Sequence, residues 1–375
     1  MSGNATIEAV GEKDYPKAAI KTDKNVTITG EGLLTLRSID DCGIYAVNNA
    51  CVTLSDANLD VSGEWALAGD RGSGERLVII RSKVKAVSRS DEGACCDFNG
   101  GITFDGCEIV SPEGGKMAGG TIVDAGGTPA KEVEIDISKF GLWICGTQVT
   151  GKNHEDILGD GKFSYDIANK TLTVKNGYTT SNNVITSYIN GLTINTKKDL
   201  ILGKRTGEPC ISLYGNTTFS GSGNLKVIGN VIAGDGQNNV TVTVDHTKLY
   251  VSGSIVGNGK EYADLSVINS SVTVNNTNSE AIANFRNLLL SDVSIVEPEG
   301  ARVVNGTIVD SNGAVATKVI IEPYNPADVN RDGTVDSADI VAVIKEMPDG
   351  DMKADVNGDE TIDSADIVAV IKAMK

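Results

Sequence analysis

The chain has 375 residues and a mass of 39.1 kDa, with 40% hydrophobic residues, 22% charged residues and 43 glycines, enough for two or three folded domains and too apolar for a disordered chain. Fifty acidic residues against 33 basic ones give a formal net charge of −17 and a pI near 4.6, so the molecule repels phosphate backbones and anionic lipid, and nucleic acid is not an expected partner. No apolar run approaches the length of a membrane span.

The amino-terminal run MSGNATIEAVGEKDYPKAAIK has neither the basic nor the apolar segment of an export signal. Beyond it, short stretches of Val, Ile, Leu and Thr alternate with Gly, Asn, Asp and Ser, which predicts many short strands joined by turns. NVTITGEGLLTLRS, CVTLSDANLDVSG, RLVIIRSKVKAVS and GITFDGCEIVSP recur at roughly one per 20 to 25 residues, a spacing suited to the coils of a β-solenoid. In the last of them Ile102, Phe104, Cys107 and Ile109 form an inward-facing set of period two, with a slip at a bend. Asn and Gly at strand ends are expected to turn the corners, with amides stacking from coil to coil. The competing architecture is a pair of β-sandwiches. The seven cysteines include no C-x-x-C pair and read as small buried hydrophobes.

The body is duplicated. EIVSPEGGKMAGGTIVDAGGTPAKEVEI (Glu108 to Ile135) matches SIVEPEGARVVNGTIVDSNGAVATKVII (Ser294 to Ile321) without a gap, carrying Gly120 onto Gly306. Earlier stretches match with small drifts that carry Leu77 onto Leu265, Leu59 onto Leu249 and Asn25 onto Asn216, as loop insertions would produce. The inward set recurs as Leu288, Leu290, Val293 and Ile295. The second copy opens on Phe140 to Gly177, a stretch without a counterpart before the first; in it FSYD and TLTV predict a hairpin, NHEDIL a single helical turn, and Trp143 a core residue. Because both copies should open alike, the chain is expected to begin partway into its first copy and to derive from an exported protein whose leader has been removed.

The run GLWICGTQVTGKNHEDILGDGKFSYDIANKTLTV, with the strands that follow it, resembles a repeat unit of secreted proteins of gut Bacteroides and related anaerobes, described as a carbohydrate-binding domain, and the likeness extends over most of residues 1 to 322. It implies an exported or cell-surface β-helix of carbohydrate-binding or adhesin type, with a polysaccharide or host glycan as partner. The expected fold class is mainly β: a right-handed parallel β-helix or solenoid of two homologous units, residues 1–136 (truncated at its start) and 137–322, followed by a small all-α domain over 323–375.

Catalytic constellations are sparse. His154 and His246 stand apart, and the cluster Asp91, Glu92 and Asp97 around Arg89 reads as a solvated acidic loop, with no match in the corresponding NNTNSEAIANF. No nucleophile elbow, P-loop or dinucleotide fingerprint occurs. The body is therefore expected to be non-enzymatic, with a β-helix polysaccharide lyase or glycoside hydrolase, or a structural stalk, as alternatives. Sugar stacking needs an exposed aromatic ring, and Trp65 in SGEWALAG is the candidate.

After the joint Glu322-Pro323-Tyr324-Asn325-Pro326 the composition changes: residues 328–375 hold ten Asp and two Glu against five Lys or Arg. DVNRDGTVDSAD sets Asp328, Asn330, Asp332, Thr334, Asp336 and Asp339 at loop positions 1, 3, 5, 7, 9 and 12, the spacing that wraps oxygen ligands around Ca²⁺, with Gly333 making the sharp turn. DVNGDETIDSAD repeats the set as Asp355, Asn357, Asp359, Thr361, Asp363 and Asp366, predicting two calcium ions. Loop 2 has Glu360 in place of Gly333 and is expected to bind more weakly. Each loop leads into a helix whose Ile340, Val343, Ile344 and Met347, or Ile367, Val370, Ile371 and Met374, share one face. A core this small should draw folding free energy from the ions. Twin loops that end in Asp, each with one following helix, resemble dockerin type I domains. That resemblance implies docking onto a cohesin-like module through Ser337, Ala338 and Lys345 or Ser364, Ala365 and Lys372, in either of two orientations, because DSADIVAVIK is identical in both halves.

Overall fold

The computed structural model describes residues 3–9, 17–175, 181, 183–204, 208–259, 261–332, 334–347 and 354–374. The fold is mainly β, a solenoid of about 11 turns, and among the described residues the only helices are two short ones near the carboxyl end. The chain divides into two compact units, residues 1–140 with 149–154, and residues 141–148 with 155–375.

In the first unit, parallel strands stack apolar side chains in register. Val26 pairs with Val52, Val52 with Leu77, and Leu77 with Ile102. On the other arm of the long strands Leu34, Leu59 and Val84 form a second column, and in a separate sheet Ile20, Ile44, Leu67 and Cys95 form a third. Leu36, Ile44, Val52, Leu54, Leu67, Leu77 and Ile79 have no exposed surface, so the core is the interior of the coil. The long strands Val26–Ser38 and Cys51–Gly63 bend where the corner demands a left-handed residue, and the same corner recurs as Asp56 (φ 49°), Arg81 (φ 44°) and Gly106 (φ 64°). A side chain at Gly106 would also meet the carbonyl of Gly151 at 2.8 Å. Arg81, a costly residue for that conformation, is tied to Asp56 by two hydrogen bonds of 3.0 and 2.8 Å.

The second unit follows the same plan. Its hairpin Phe163–Asp166 and Thr171–Val174 starts a sheet that continues through Leu192–Thr196, Thr217–Ser220, Val240–Asp245, Ala263–Ile268 and Asn287–Ser291, and His246, Asn269 and Asp292 repeat the left-handed corner. Both units close alike. Strand Glu132–Ile137 runs antiparallel to Lys83–Ser88 and Cys107–Ser111, and Lys318–Pro323 runs antiparallel to Ser271–Asn275 and Val293–Glu297.

Several local expectations change. Strand-end Asn side chains accept from the backbone of the next coil rather than stacking amide on amide: Asn25 from Cys51 N–H (2.9 Å), Asn49 from Gly74 N–H (2.7 Å) and Asn216 from Thr241 N–H (2.8 Å). The stretch around NHEDIL is a run of turns, not a helical turn. Trp143 is half-buried on the outside of its coil, because Leu142 and Ile144 take the inward positions of that strand; it meets the edge of Tyr188, which stacks on Tyr214. All seven cysteines are free thiols, with Cys145 alone half-exposed.

Candidate functional sites

The two acidic loops have nearly the same internal hydrogen bonds. In the first, Asp328 and Asn330 both accept from the N–H of Asp332 (3.1 and 2.8 Å), and Asp332 accepts from the N–H and hydroxyl of Thr334 (2.9 and 2.6 Å). In the second, Asp355 and Asn357 accept from Asp359 N–H (3.2 and 2.9 Å), and Asp359 from Thr361 (3.0 and 2.6 Å). Position 9 caps the helix: Asp336 accepts from Ala338 N–H and Asp363 from Ala365 N–H, both at 2.6 Å, opening α1 (Ser337–Glu346) and α2 (Ser364–Ala373). Position 12 reaches back. Asp339 accepts from the N–H of Asp336 and of Asn330, and Asp366 from those of Asp363, Val356 and Asn357, so one carboxylate completes a capping box and closes the loop.

Among the described residues no three His, Cys, Asp or Glu side chains converge into a metal-holding group; the loop carboxylates are turned onto backbone N–H groups instead. The donor set still fits a hard cation. Each loop offers carboxylate, amide and carbonyl oxygens and no nitrogen or sulfur ligand. Asp339 and Asp366 are fully buried, and no basic side chain pairs with either among the described residues. A buried carboxylate without a counter-charge is costly, and a cation bound in the loop removes that cost. Asp332 and Asp359 sit below the usual carboxylate range, chiefly because the Thr334 and Thr361 hydroxyls donate to them, so both are ionised at neutral pH. Gly333 lies outside the described residues. Left-handed backbone occurs in both loops, at Arg331 (φ 58°) in the first and at Gly358 and Glu360 (φ 74° and 66°) in the second. One non-glycine residue therefore carries strain in each described loop, rather than in loop 2 alone.

The tail core consists of Ala327, Val343 and Val370, packed by Val335, Ile340, Ile362 and Ile367 among others. Ile344 and Ile371, expected inside, are 50% and 51% exposed, because α1 and α2 meet along the i, i+3 row and leave i+4 outside. With Val341 (49% exposed) and Val368 (46%) they form an aliphatic row on each helix, beside the exposed Ser337, Ala338 and Lys345, or Ser364, Ala365 and Lys372. In sequence IVAVI is apolar all round, wider than the one face that α1 and α2 cover between them.

A second constellation lies in the first unit, on the outer face of the short sheet. In register there stand Lys21, Tyr45, Ala68 and Cys96, and Ala68 and Cys96 are buried beneath Tyr45 and Trp65. The turns on either side raise walls around this floor and enclose a cleft of about 280 Å³. Trp65 donates from its indole N–H to Glu92 (2.9 Å), the other Glu92 oxygen pairs with Arg71, and Arg71 lies 3.7 Å from Asp97. Arg71 and Trp65 together hold the Glu92 carboxyl below its ordinary range. Tyr45 donates to Asp70 (3.0 Å), with Lys21 lying 5.2 Å from its ring centre; burial first, then the Asp70 bond, pushes the phenol up to about 12. Asp41 completes the set of four carboxylates around the cleft.

Sequence reasoning named Trp65 but missed its setting. Glu92 and Asp97 belong to the Trp65 cleft, whereas Arg89 pairs with Glu64 and Asp91 with Lys131, so the supposed acidic loop splits in two. Asp70 and Arg71 follow Trp65 on its own coil, just past the strand Leu67–Ala68, whereas Tyr45 and Glu92 come from the neighbouring coils and only the coil register brings them to Trp65. His246 is exposed and bonds Asp245 (2.6 Å).

No helix among the described residues is long and apolar enough to cross a membrane. No curated protein and no solved structure matches the chain. Residues 326–375 match the Dockerin type I domain family, whose members bind calcium, dock onto cohesin modules and are typically extracellular, and they contain both loops and both helices described above. The carboxyl-terminal tail of this β-solenoid chain is a dockerin type I domain.

Proposed function

We propose that this is an exported, non-catalytic glycan-binding protein, anchored to a cohesin through a tail that holds two calcium ions. Asp328, Asn330, Asp332, Thr334, Asp336 and Asp339 would surround one ion, and Asp355, Asn357, Asp359, Thr361, Asp363 and Asp366 the other, with the Thr residues supplying backbone carbonyls. The ions neutralise the buried Asp339 and Asp366 and hold each loop against its helix. Ser337, Ala338 and Lys345, or Ser364, Ala365 and Lys372, then face the partner together with the exposed aliphatic rows.

The glycan reading is carried by the Trp65 cleft, where an indole and a phenol ring border carboxylates able to accept sugar hydroxyls. Four acids against Arg71 and Lys21 leave the cleft negative, which selects neutral or amino sugars over uronates. The converging carboxylates also support a second reading, glycoside hydrolysis. Against it, Glu92 is tied to Arg71 and Trp65 in its ionised form, the opposite of a general acid held protonated. Affinity electrophoresis of the full chain through gels containing xylan, mannan, β-glucan or pectin tests both. Retardation in a neutral glycan, lost in Trp65→Ala and without new chain ends, is the expected result. New chain ends would establish the hydrolase, and free migration in every gel would leave the body a stalk.

A further inference from the structure

The second unit has a cleft of its own beside the matching stretch of coil, and only Val256, Glu280 and the turn residue Ser254 in its lining correspond to lining residues of the first, Ala68, Glu92 and Trp65. The backbone hydrogen bonds of the two units superpose residue for residue. Leu67 N–H donates to Ala94 O as Ile255 N–H does to Ala281 O, both at 2.8 Å; Ala94 N–H donates to Ala130 O (2.7 Å) as Ala281 N–H does to Ala316 O (2.8 Å); and Phe98 N–H donates to Gly120 O (3.0 Å) as Phe285 N–H does to Gly306 O (3.1 Å). On this register Ala68 and Cys96, the floor of the Trp65 cleft, correspond to Val256 and Ala283, which pair in the same way. Glu280 takes the place of Glu92 once the extra Gly93 of the first copy is allowed for, and Asn284 takes the place of Asp97.

One difference reshapes the second cleft. Between the matching Gly63 and Gly253 and the matching Leu67 and Ile255, the first copy has Glu64-Trp65-Ala66 and the second only Ser254. The shorter turn lacks the tryptophan, and beside it Ser252 to Ser254 and Asn275 to Glu280 border a cleft of about 400 Å³, within the usual range for small-ligand pockets. Its lining is mainly amide and hydroxyl, and among the described residues Glu280 is its only ionisable side chain. These groups are fixed before any ligand arrives. Ser254 donates its N–H to Asn230 (2.9 Å) and its hydroxyl to the Glu280 carbonyl, Asn276 donates to Ser254 Oγ (2.8 Å), and the Glu280 carboxylate accepts from Ser279 (2.5 Å) and Asn284 (3.4 Å).

We propose that this second cleft, around Asn276 and Glu280, is a further glycan subsite that binds a neutral sugar by hydrogen bonding to amides, hydroxyls and one carboxylate, without ring stacking. It rests on the reading of the body as a glycan-binding protein. The preorganised network orients acceptors and donors for vicinal hydroxyls, and the lack of any Lys or Arg among the described lining residues disfavours uronates.

Calorimetric titration of the full chain with xylohexaose, mannohexaose and cellohexaose, with tetragalacturonate as the charged control, separates the two sites. With the neutral oligosaccharide that binds, wild type is expected to show two sites and Trp65→Ala one. Glu280→Gln, of unchanged shape, should weaken the second site roughly tenfold, and Ser279→Leu, at an exposed position, should fill it without affecting folding. The inference is overturned if Trp65→Ala alone abolishes binding, or if neither Glu280→Gln nor Ser279→Leu changes the titration. Heat from no neutral oligosaccharide would overturn the glycan reading itself, and this subsite with it.

Discussion

Position 6 of the second acidic loop is Glu360, held at φ 66°, and the conformation aims the Glu360 N–H at the Asp355 carboxylate, 2.9 Å away. An L-residue other than glycine costs roughly 1–2 kcal/mol there. Where ion binding and loop closure are coupled, that cost appears as lost calcium affinity, about five- to thirtyfold at 1.4 kcal/mol per decade. Glu360→Gly removes both the strain and a negative charge, so the informative comparison is with Glu360→Ala, which removes only the charge. Calorimetric calcium titration of the full chain should show the Gly variant binding at least fivefold tighter than the Ala variant at one site, with the other site unchanged. Arg331, at φ 58° in the first loop, should respond less to the same change, because its guanidinium lies 4.4 Å from the Tyr324 ring centre and that contact would be lost. A Gly variant no tighter than Ala would refute the strain argument.

The Tyr45 phenol has a folded-state value of about 12 against 10 unfolded, so the stability it contributes is complete below pH 10 and lost as pH rises through about 12. Burial also raises the Tyr165 phenol, so in an alkaline absorbance titration two tyrosines should ionise late in wild type and one of them should be lost from that component in Tyr45→Phe; an unchanged profile would place the Asp70 bond in doubt. Leu265, fully buried between Val242 and Leu288 in the ladder, should cost about 3 kcal/mol as Leu265→Ala, read as a lower urea midpoint, and a loss under about 1 kcal/mol would mean the column is not tightly packed. Glu75 is fully buried; one oxygen accepts from Asn49 N–H (2.9 Å), and the other has no partner among the described residues. Glu75→Gln keeps the acceptor and removes the buried carboxylate, so it should raise the thermal midpoint by about 1 kcal/mol of stability, whereas a lower midpoint would show that the carboxylate has a counter-charge.

What could be read from sequence was what repeats. The solenoid followed from alternation within strands and from the match between Glu108–Ile135 and Ser294–Ile321, because each coil imposes the same demand on the next. The dockerin type I domain was legible because its twin acidic loops set the same oxygen-bearing residue types at fixed spacing within two short segments. The Trp65 cleft was not, since Tyr45, the pair Trp65 and Arg71, and Glu92 lie on three successive coils and only the register Tyr45 to Ala68 to Cys96 assembles them. The correspondence of Glu92 with Glu280 was hidden by a single inserted glycine, Gly93, which backbone pairing reveals and a gapless comparison does not. Ile344 and Ile371 were placed inside because periodicity gives the width of an apolar face and not how much of it a short partner helix can cover.

The account depends most on the tail as a two-ion, calcium-dependent dockerin. Native mass spectrometry of the full chain tests this directly: wild type should carry two calcium ions, Asp339→Ala or Asp366→Ala one, and the double variant none. A wild-type chain without calcium, or a double variant that still carries both ions, would contradict it.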